Sequence, residues 1–225
     1  MNLFDSLNKI LIEGGSWKTF LGGLWVTVQI SVFALLLGTI LGALICILRT
    51  RKNPVVKGFA TVYIAILRGT PVLMLLMLLY YGVFAHSDLK PVTVAIITFS
   101  LNTSAHVAEL LRTSYNASDF GQMEAARTLG FSAWDAFRLV MLPQMVRIAK
   151  PVYQSTVVNL VQWTSVVGYV TITDLTRVVN NTAARTMQPL LTISIGMLIY
   201  LAMSYIVYGI FALTDHFDKR KKLAV

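Results

Sequence analysis

The chain has 225 residues, of which 56% are hydrophobic and 13% are charged, and its formal net charge is +9. This composition is far more apolar than that of a soluble globular domain, so the sequence predicts an integral membrane protein. A single cysteine, Cys46, excludes a disulfide framework, and the three histidines are scattered without metal-ligand spacing.

The apolar segments predict an all-α protein with about five transmembrane helices, because a helix needs about 20 residues to cross the hydrocarbon layer. Residues 19–48 form the first span and contain no charged side chain. This span is too long for the apolar region of a signal peptide and follows Asp5 and Glu13, so we expect it to be retained. The other predicted spans cover residues 70–85, 92–111, 152–172 and 190–213.

The second span is short because an interruption precedes it. A single helix over residues 54–85 would place Arg68 near the middle of the bilayer, at a cost between about 2.5 and more than 10 kcal/mol. A cheaper arrangement lays residues 54–67 along the cytoplasmic interface as an amphipathic segment and starts the span near Thr70. An alternative with two spans in this region stays open.

Basic residues set the expected orientation of the spans. They cluster after the first span, after the third span and near the C-terminus, so the positive-inside rule places the C-terminus in the cytoplasm and the N-terminus outside. We attribute the positive charge to membrane orientation and to contact with anionic lipid headgroups. The sequence has no pattern of interleaved aromatic and basic residues that would predict nucleic-acid binding. The clusters are Arg49, Arg51, Lys52 and Lys57; Arg112, Arg127, Arg138, Arg147 and Lys150; and Lys219, Arg220, Lys221 and Lys222.

The cytoplasmic loop at about 115–150 is the most informative polar segment. Ser118 or Asp119 can cap a helix, and Gly130 can adopt the left-handed conformation that ends it. A second short helix over residues 132–140 should follow before Pro143 breaks the pattern. Two short helices joined at a glycine predict a rigid knob, and small alanines would allow a partner to approach closely. The residues expected to carry this contact are Glu124, Ala125, Ala126, Gly130 and Pro143.

The spacing in this loop resembles the EAA loop of ABC-importer permeases, which usually have Ile where this chain has Val140. Other segments resemble the polar-amino-acid permeases, and together they cover nearly the whole chain after about residue 17. They are LRGTP at 67–71, SLN at 100–102, AELLR at 108–112, GQMEAA at 121–126, LPQ at 142–144, TS at 164–165 and DL at 174–175. The chain therefore resembles the histidine/glutamine-type amino-acid ABC permeases, which have the type I importer fold.

That resemblance implies one transmembrane permease domain over residues 1–225, spanning the bacterial plasma (inner) membrane several times. The expected partners are an ABC ATPase dimer, a second permease subunit (the same or a related chain), an extracytoplasmic substrate-binding protein and membrane lipid. The sequence has no P-loop, GxSxG or HExxH motif, so we expect no enzyme activity and no catalytic residue in this chain. We also expect it to bind no cofactor or metal, with ATP and Mg on the separate ATPase.

Polar residues at mid-membrane depth are candidates for the solute path. If Pro91 and Pro151 lie in the first turns of their spans, Asn102 and residues 159–163 fall about 10–18 Å deep. Such side chains face a partner or a water-filled path. Hydrogen bonding between helices is the alternative interpretation.

Helical spacing puts Ser155, Asn159, Gln162 and Trp163 on one face. The resemblance adds Thr70, because matching positions at Thr70, Asn102, Asn159 and Trp163 line a translocation site in similar basic-amino-acid permeases.

Many relatives have Lys-Asp where this chain has Gln162-Trp163, so an acidic partner for a cationic solute is missing. Trp163 can supply an apolar or cation–π wall instead. Glu109 does not replace the acid, since it is expected to pair locally with Arg112.

We therefore predict the permease subunit of an ATP-driven importer for a polar amino acid, with another small organic solute as the alternative. A membrane-embedded enzyme would need converging acid, base or metal-binding residues within the spans, and none is visible. A purely structural anchor would need neither the EAA spacing nor amides at mid-membrane depth.

Overall fold

The computed structural model describes the backbone of residues 3–223 and the side chains of residues 5–13 and 15–214. Every regular element in this range is helical, with no strand among these residues, which confirms the predicted all-α class. The basic cluster at 219–222 lies outside the described side chains.

The helices follow one another with short connections, several of them π or 3-10 turns. The α-helices are α1 Leu3–Leu11, α2 Ser16–Arg49, α3 Pro54–Gly69, α4 Val72–Leu78, α5 Pro91–Asn116, α6 Phe120–Thr128, α7 Ala133–Ala136, α8 Leu142–Trp163, α9 Leu175–Thr186 and α10 Pro189–Leu223. The π turns are Leu79–Val83 and Phe137–Met141, and the 3-10 turns are Glu13–Gly15 and Thr164–Val170.

Three of the described helices are long and apolar enough to cross a membrane, namely α2, α5 and α10 over Pro189–Thr214. A fourth is reached if α3 and the segment Val72–Val83 count as one broken span. The fifth expected span, at 152–172, begins inside α8 and ends beyond a 3-10 turn. Basic and polar residues interrupt α8, which explains why it is not among the helices that meet this criterion.

The predicted interruption before the second span is present. Asn53 caps α3 by accepting a hydrogen bond from the backbone N–H of Val55 at 2.9 Å, and α3 ends directly before Thr70. The exposed face of α3 is apolar, with Phe59 67% and Ile66 57% exposed. Lipid tails can cover such a face in an interfacial helix and in a spanning helix alike, so the interfacial position of residues 54–67 stays a prediction.

The chain forms two compact units. Unit 1 contains Met1–Leu35, Pro71–Phe99 and Val157–Val225, whereas unit 2 contains Leu36–Thr70 and Ser100–Thr156.

In unit 1, α9 packs against α2 and α10 at glycines. A Cβ on Gly196 would lie 2.6 Å from Cγ2 of Val179, and one on Gly23 would lie 2.8 Å from Cγ2 of Val178. Small residues of this kind let membrane helices approach closely and gain packing contacts. The start of α9 therefore has a fixed position within unit 1.

Asp174 is the N-cap of α9 and is completely buried. Its carboxylate accepts hydrogen bonds from the backbone N–H of Arg177 at 3.0 Å and of Thr176 at 3.1 Å. Burial raises the pKa of the Asp174 carboxyl above its ordinary value, while these hydrogen bonds oppose the rise. The cap satisfies two N–H groups that the first turn of α9 leaves without helical partners.

In unit 2, α2 and α5 approach closely at two further glycines. A Cβ on Gly38 would lie 2.7 Å from Cβ of Thr103, and one on Gly42 would lie 2.7 Å from Cβ of Val107. The Tyr63 hydroxyl adds a polar contact, since it lies 2.7 Å from Oγ of Ser104. Unit 2 therefore depends on small residues in α2.

We predict that Gly42→Ala destabilises the protein by about 1–3 kcal/mol, because the new methyl group overlaps Val107 and the backbone oxygen of Ser104. Gly22→Ala is the matched control on the same helix, since its Cβ would meet nothing within 4 Å. The thermal midpoint in detergent should fall for Gly42→Ala and stay level or rise slightly for Gly22→Ala. Equal midpoints would contradict the close packing of α2 and α5.

Candidate functional site: the EAA loop and the polar residues of the spans

The first helix of the EAA loop, α6, starts at the predicted position. Asp119 is its N-cap, with an extended backbone and a carboxylate that accepts from the N–H of Gly121 at 2.9 Å. Ser118, the other predicted cap, is buried and donates its hydroxyl to the carbonyl of Ser114 at 2.9 Å. Asp119 is therefore the cap, because its side chain hydrogen-bonds to the first turn of α6, whereas that of Ser118 bonds back to α5.

Gly130 ends α6 as predicted, with φ +90°. Its N–H donates to the carbonyl of Arg127 at 3.1 Å, and the N–H of Phe131 donates to that of Ala126 at 3.2 Å. This pair of bonds is the Schellman motif, which satisfies the last carbonyls of a helix. A Cβ on Gly130 would meet nothing within 4 Å, so backbone conformation rather than space requires glycine there.

The second helix, α7, begins with its own cap. Ser132 accepts from the N–H of Asp135 at 3.0 Å, and the Ser132 hydroxyl contacts the Asp135 carboxylate. Arg127 adds a bond across the turn, donating to the carbonyl of Phe131 at 2.7 Å. Local hydrogen bonds therefore fix both helices and the glycine joint between them, which supports the predicted knob.

The predicted break at Pro143 is wrong. The π turn Phe137–Met141 follows α7 directly and leads into α8 without an irregular residue. Within this turn the N–H of Leu142 donates to the carbonyl of Phe137, five residues earlier. A π turn shifts the hydrogen-bond ladder, and here the shift lies directly before the proline, which has no N–H to place in it.

The expected position of Pro151 is also wrong, because it lies inside α8 rather than in a first turn. Pro91 does begin α5 as predicted. The depth estimate for residues 159–163 counts from Pro151 as the start of a span, so that estimate does not hold. Those residues occupy the last turns of α8, which ends at Trp163.

The exposed surface of the EAA loop differs from the expected one in one respect. Glu124 and Ala125 are exposed, but Ala126 is only 6% exposed and packs inside the loop. The exposed apolar side chains are instead Leu129 at 79% and Trp134 at 66%. Large apolar side chains that remain exposed on a polar loop are typical of a protein contact.

A cluster of charges surrounds Glu109 in unit 2. The predicted pair with Arg112 is present, with 2.5 Å between Oε1 and Nη2. The guanidinium of Arg49 contacts the other carboxylate oxygen, and Arg68 lies 3.9 Å from that oxygen. Sequence reasoning missed Arg49 and Arg68, although each lies at or next to the last residue of its helix, where a cation favours the helix dipole.

The predicted solute-path residues of unit 2 lie near the end of α3. Asn102 is 3% exposed, and its Nδ2 donates to the carbonyl of Leu67 at 2.9 Å. Its Oδ1 has no hydrogen-bond partner among the described residues. Thr70 donates its hydroxyl to the carbonyl of Ile66 at 2.8 Å. The amide of Asn102 therefore joins two helices with one end and keeps an unused acceptor at the other.

The predicted solute-path residues of unit 1 lie at the end of α8. Asn159 and Gln162 are exposed, as is Ser155 in the preceding part of α8, which belongs to unit 2, while Trp163 is partly buried against the core of unit 1. Gln162 also lines a cavity of about 520 Å³ together with tyrosines of α10. The predicted set thus divides between the two units, and its role in solute contact stays a prediction.

The helical fold, the long apolar helices and the polar loop with its capped glycine joint together define a multi-pass membrane permease of the type I ABC-importer class. Residues 18–223 match the family described as the binding-protein-dependent transport system inner membrane component, and the chain belongs to this family.

Relatives and solved structures agree with this assignment. YckA of Bacillus subtilis (strain 168), a probable amino-acid ABC transporter permease protein, is 34% identical over 168 residues, or 74% of either chain. A crystal structure of an amino acid ABC transporter with histidines has a TM-score of 0.81 at 28% identity, covering 88% of this chain and 94% of that chain. A chain of the inward-facing MetNI methionine ABC transporter has a TM-score of 0.75 at 16% identity, covering 90% and 97%, and shows likeness in fold alone.

Several predictions from the sequence are thereby confirmed. The chain is an ABC-importer permease of the amino-acid type, it has the type I importer fold, and it is a multi-pass plasma-membrane protein.

Proposed function

We propose that this chain imports a polar amino acid delivered by an extracytoplasmic substrate-binding protein, and that its EAA loop couples this transport to a separate ATPase. The observation that carries the proposal is the loop itself. Capping bonds and the hydrogen bonds at the Gly130 joint stiffen it, and it exposes Leu129, Trp134 and Glu124. Rigidity lets a small displacement pass through the loop, and the exposed apolar side chains suit a partner surface.

In this proposal two ATPase subunits bind ATP and Mg, and this chain neither binds the nucleotide nor hydrolyses it. A second permease subunit, the same or a related chain, completes the path. Closure of the ATPase dimer draws the EAA loops together and favours the outward-facing state, into which the binding protein releases solute. The cycle is alternating access, driven by differential binding to two states.

The likeness to an amino acid transporter solved with histidines supports an amino-acid solute. In the proposed path the amides of Asn102, Asn159 and Gln162 supply hydrogen bonds and Trp163 supplies an aromatic wall. Another small organic solute is the alternative. Within the amino acids, Gln162-Trp163 offers no acidic partner for a cationic side chain, so we do not extend the proposal to arginine or lysine.

The orientation is also a proposal. The basic residues of the EAA loop, among them Arg127, Arg138 and Arg147, support a cytoplasmic position for it under the positive-inside rule. The connection between α4 and α5 then lies outside.

Gly130→Val should abolish solute-stimulated ATPase activity of the assembled complex while leaving membrane insertion intact. The β-branched side chain opposes the φ of +90°, at a local cost of at least about 1 kcal/mol. Gly58→Val is the matched control, because its Cβ would meet nothing within 4 Å and its φ is ordinary. Normal stimulation in Gly130→Val would remove the loop from the mechanism.

Orientation can be tested by labelling single cysteines in a background with Cys46→Ala. Ser87 and Ala117 are both exposed, so accessibility to an impermeant thiol reagent reports the side of the membrane. We expect Ser87→Cys to react in intact cells and Ala117→Cys to react only after permeabilisation. The opposite pattern would invert the proposed topology.

Solute contact predicts that Asn159→Leu and Trp163→Ala each lower uptake per assembled complex and leave the affinity of the binding protein unchanged. The first removes a hydrogen bond worth about 0.5–1.5 kcal/mol, and the second removes an aromatic contact worth about 0.5–2 kcal/mol. The double variant should be non-additive if one solute touches both side chains. Gln154→Leu and Trp25→Ala are matched controls on α8 and α2.

A purely structural role for Asn159 and Trp163 predicts a different result. Transport would then fall only in proportion to the amount of assembled complex, and the detergent-extracted complex would unfold at a lower temperature. Unchanged uptake per complex in both single variants would remove them from the path.

A further inference from the structure

The side chain of Gln144, in the first turn of α8, bridges to the start of α6. Its Oε1 accepts a hydrogen bond from the backbone N–H of Asp119 at 3.1 Å, and its Nε2 donates to Oε1 of Gln122 at 2.9 Å. Asp119 is the N-cap of α6 and Gln122 is the third residue of that helix. One carboxamide therefore contacts both ends of the first turn of α6.

This arrangement is an opened capping box. Asp119 and Gln122 have the required spacing, at which the side chain of the third helical residue accepts from the N–H of the N-cap residue. The Asp119 carboxylate caps the helix through the N–H of its second residue, Gly121, and not through that of Gln122. Gln144 is inserted into the reciprocal half of the box, taking the Asp119 N–H for itself and offering its own N–H to Gln122.

We propose that Gln144 is a positioning residue for coupling, whose carboxamide ties the first helix of the EAA loop to the long helix α8. This inference rests on the proposed coupling function. Backbone continuity already joins α7 to α8 through the π turn, but α6 is separated from α7 by the Gly130 joint. The Gln144 bridge adds a second connection, which runs directly from the start of α8 to the start of α6.

The bridge has an alternative built into the sequence. If Gln144 withdraws, Gln122 can accept from the Asp119 N–H and complete the local capping box, so the N-cap donor is not left unsatisfied. The same groups thus support a tied and an untied α6. Such a pair of arrangements passes displacement when tied and permits independent motion when untied.

The position of the bridge makes it sensitive to docking. Asp119 and Gln122 are exposed and Gln144 is partly buried, and the two glutamines lie along a groove of about 500 Å³. Water competes for hydrogen bonds at such an open site, and a protein surface laid over the loop removes that water. The tie between α6 and α8 therefore strengthens when a partner covers the loop.

The test measures the ratio of solute-stimulated to basal ATPase activity in the assembled complex with its binding protein. Gln144→Met keeps the side-chain volume and removes both bonds, so the ratio should fall about threefold or more, the change expected for losing one such hydrogen bond. Complex yield and thermal midpoint should stay at wild-type values. Gln154→Met, the same substitution further along α8, is the control and should leave the ratio unchanged.

A second set of variants tests the contact with Gln122. Gln122→Glu retains the acceptor and should behave like wild type, whereas Q122E/Q144E sets two carboxylates against each other with no donor between them and should lower the ratio. Q122K/Q144E restores a donor and an acceptor in exchanged positions and should recover at least half of the loss. Asn116→Asp places the same charge at an exposed site of the loop and controls for charge alone.

A wild-type ratio in Gln144→Met would overturn the inference, as would a Q122K/Q144E variant no better than Q122E/Q144E. If Gln144→Met does not assemble, the comparison of Q122E/Q144E with Q122K/Q144E decides in the same way. Failure of the inference is distinct from failure of the proposed function. Loss of stimulation in Gly130→Val with a normal Gln144→Met rejects the bridge alone, whereas normal stimulation in Gly130→Val rejects coupling through the loop.

Discussion

A bilayer offers no hydrogen bonds to a polypeptide, and this constraint shapes the helical fold. Backbone N–H and C=O groups inside the bilayer must therefore be paired within the protein. A helix satisfies this requirement because it pairs these groups within a single segment. Hydroxyls in the long helices obey the same rule, since Thr27, Ser31 and Thr98 each donate to a carbonyl four residues earlier. Where the helices break, a cap replaces the lost bonds, as Asn53 does for α3 and Asp174 does for α9.

A charged side chain costs more free energy than a backbone group when it is removed from water without a partner. In unit 2, arginines are the partners of the Glu109 carboxylate. The Glu109 carboxylate forms ion pairs with Arg49 of α2, Arg68 of α3 and Arg112 of its own helix. Removing the carboxylate would leave three guanidinium groups close together without their shared anion, whereas removing one arginine leaves two others on Glu109. The cluster therefore fixes the ends of α2 and α3 against α5, in the same unit that carries α6 and α7.

The parts of this arrangement that sequence reasoning found are the local ones. The cap at Asp119, the glycine at Gly130 and the Glu109–Arg112 pair each depend on residues within a few positions, so spacing alone predicts them. The continuation of the helix past Pro143 depends on a π turn, which has no simple sequence signal. Contacts over long separations, such as Arg49 with Glu109, depend on which helices pack together, and spacing carries no such information.

The coupling proposed for the loop requires stiffness, and the structure shows where the helical backbone provides it. A predicted break at Pro143 would have made the junction between loop and span a hinge, but α7, the π turn and α8 instead form one helical path. That path carries Asn159, Gln162 and Trp163 in its last turns. The first helix of the loop, α6, is then connected to this path by the Gly130 joint and by the bridge from Gln144. Backbone hydrogen bonds hold the joint, whereas side-chain hydrogen bonds along an open groove form the bridge, so in the proposed mechanism a docking partner changes the Gln144 bridge more readily.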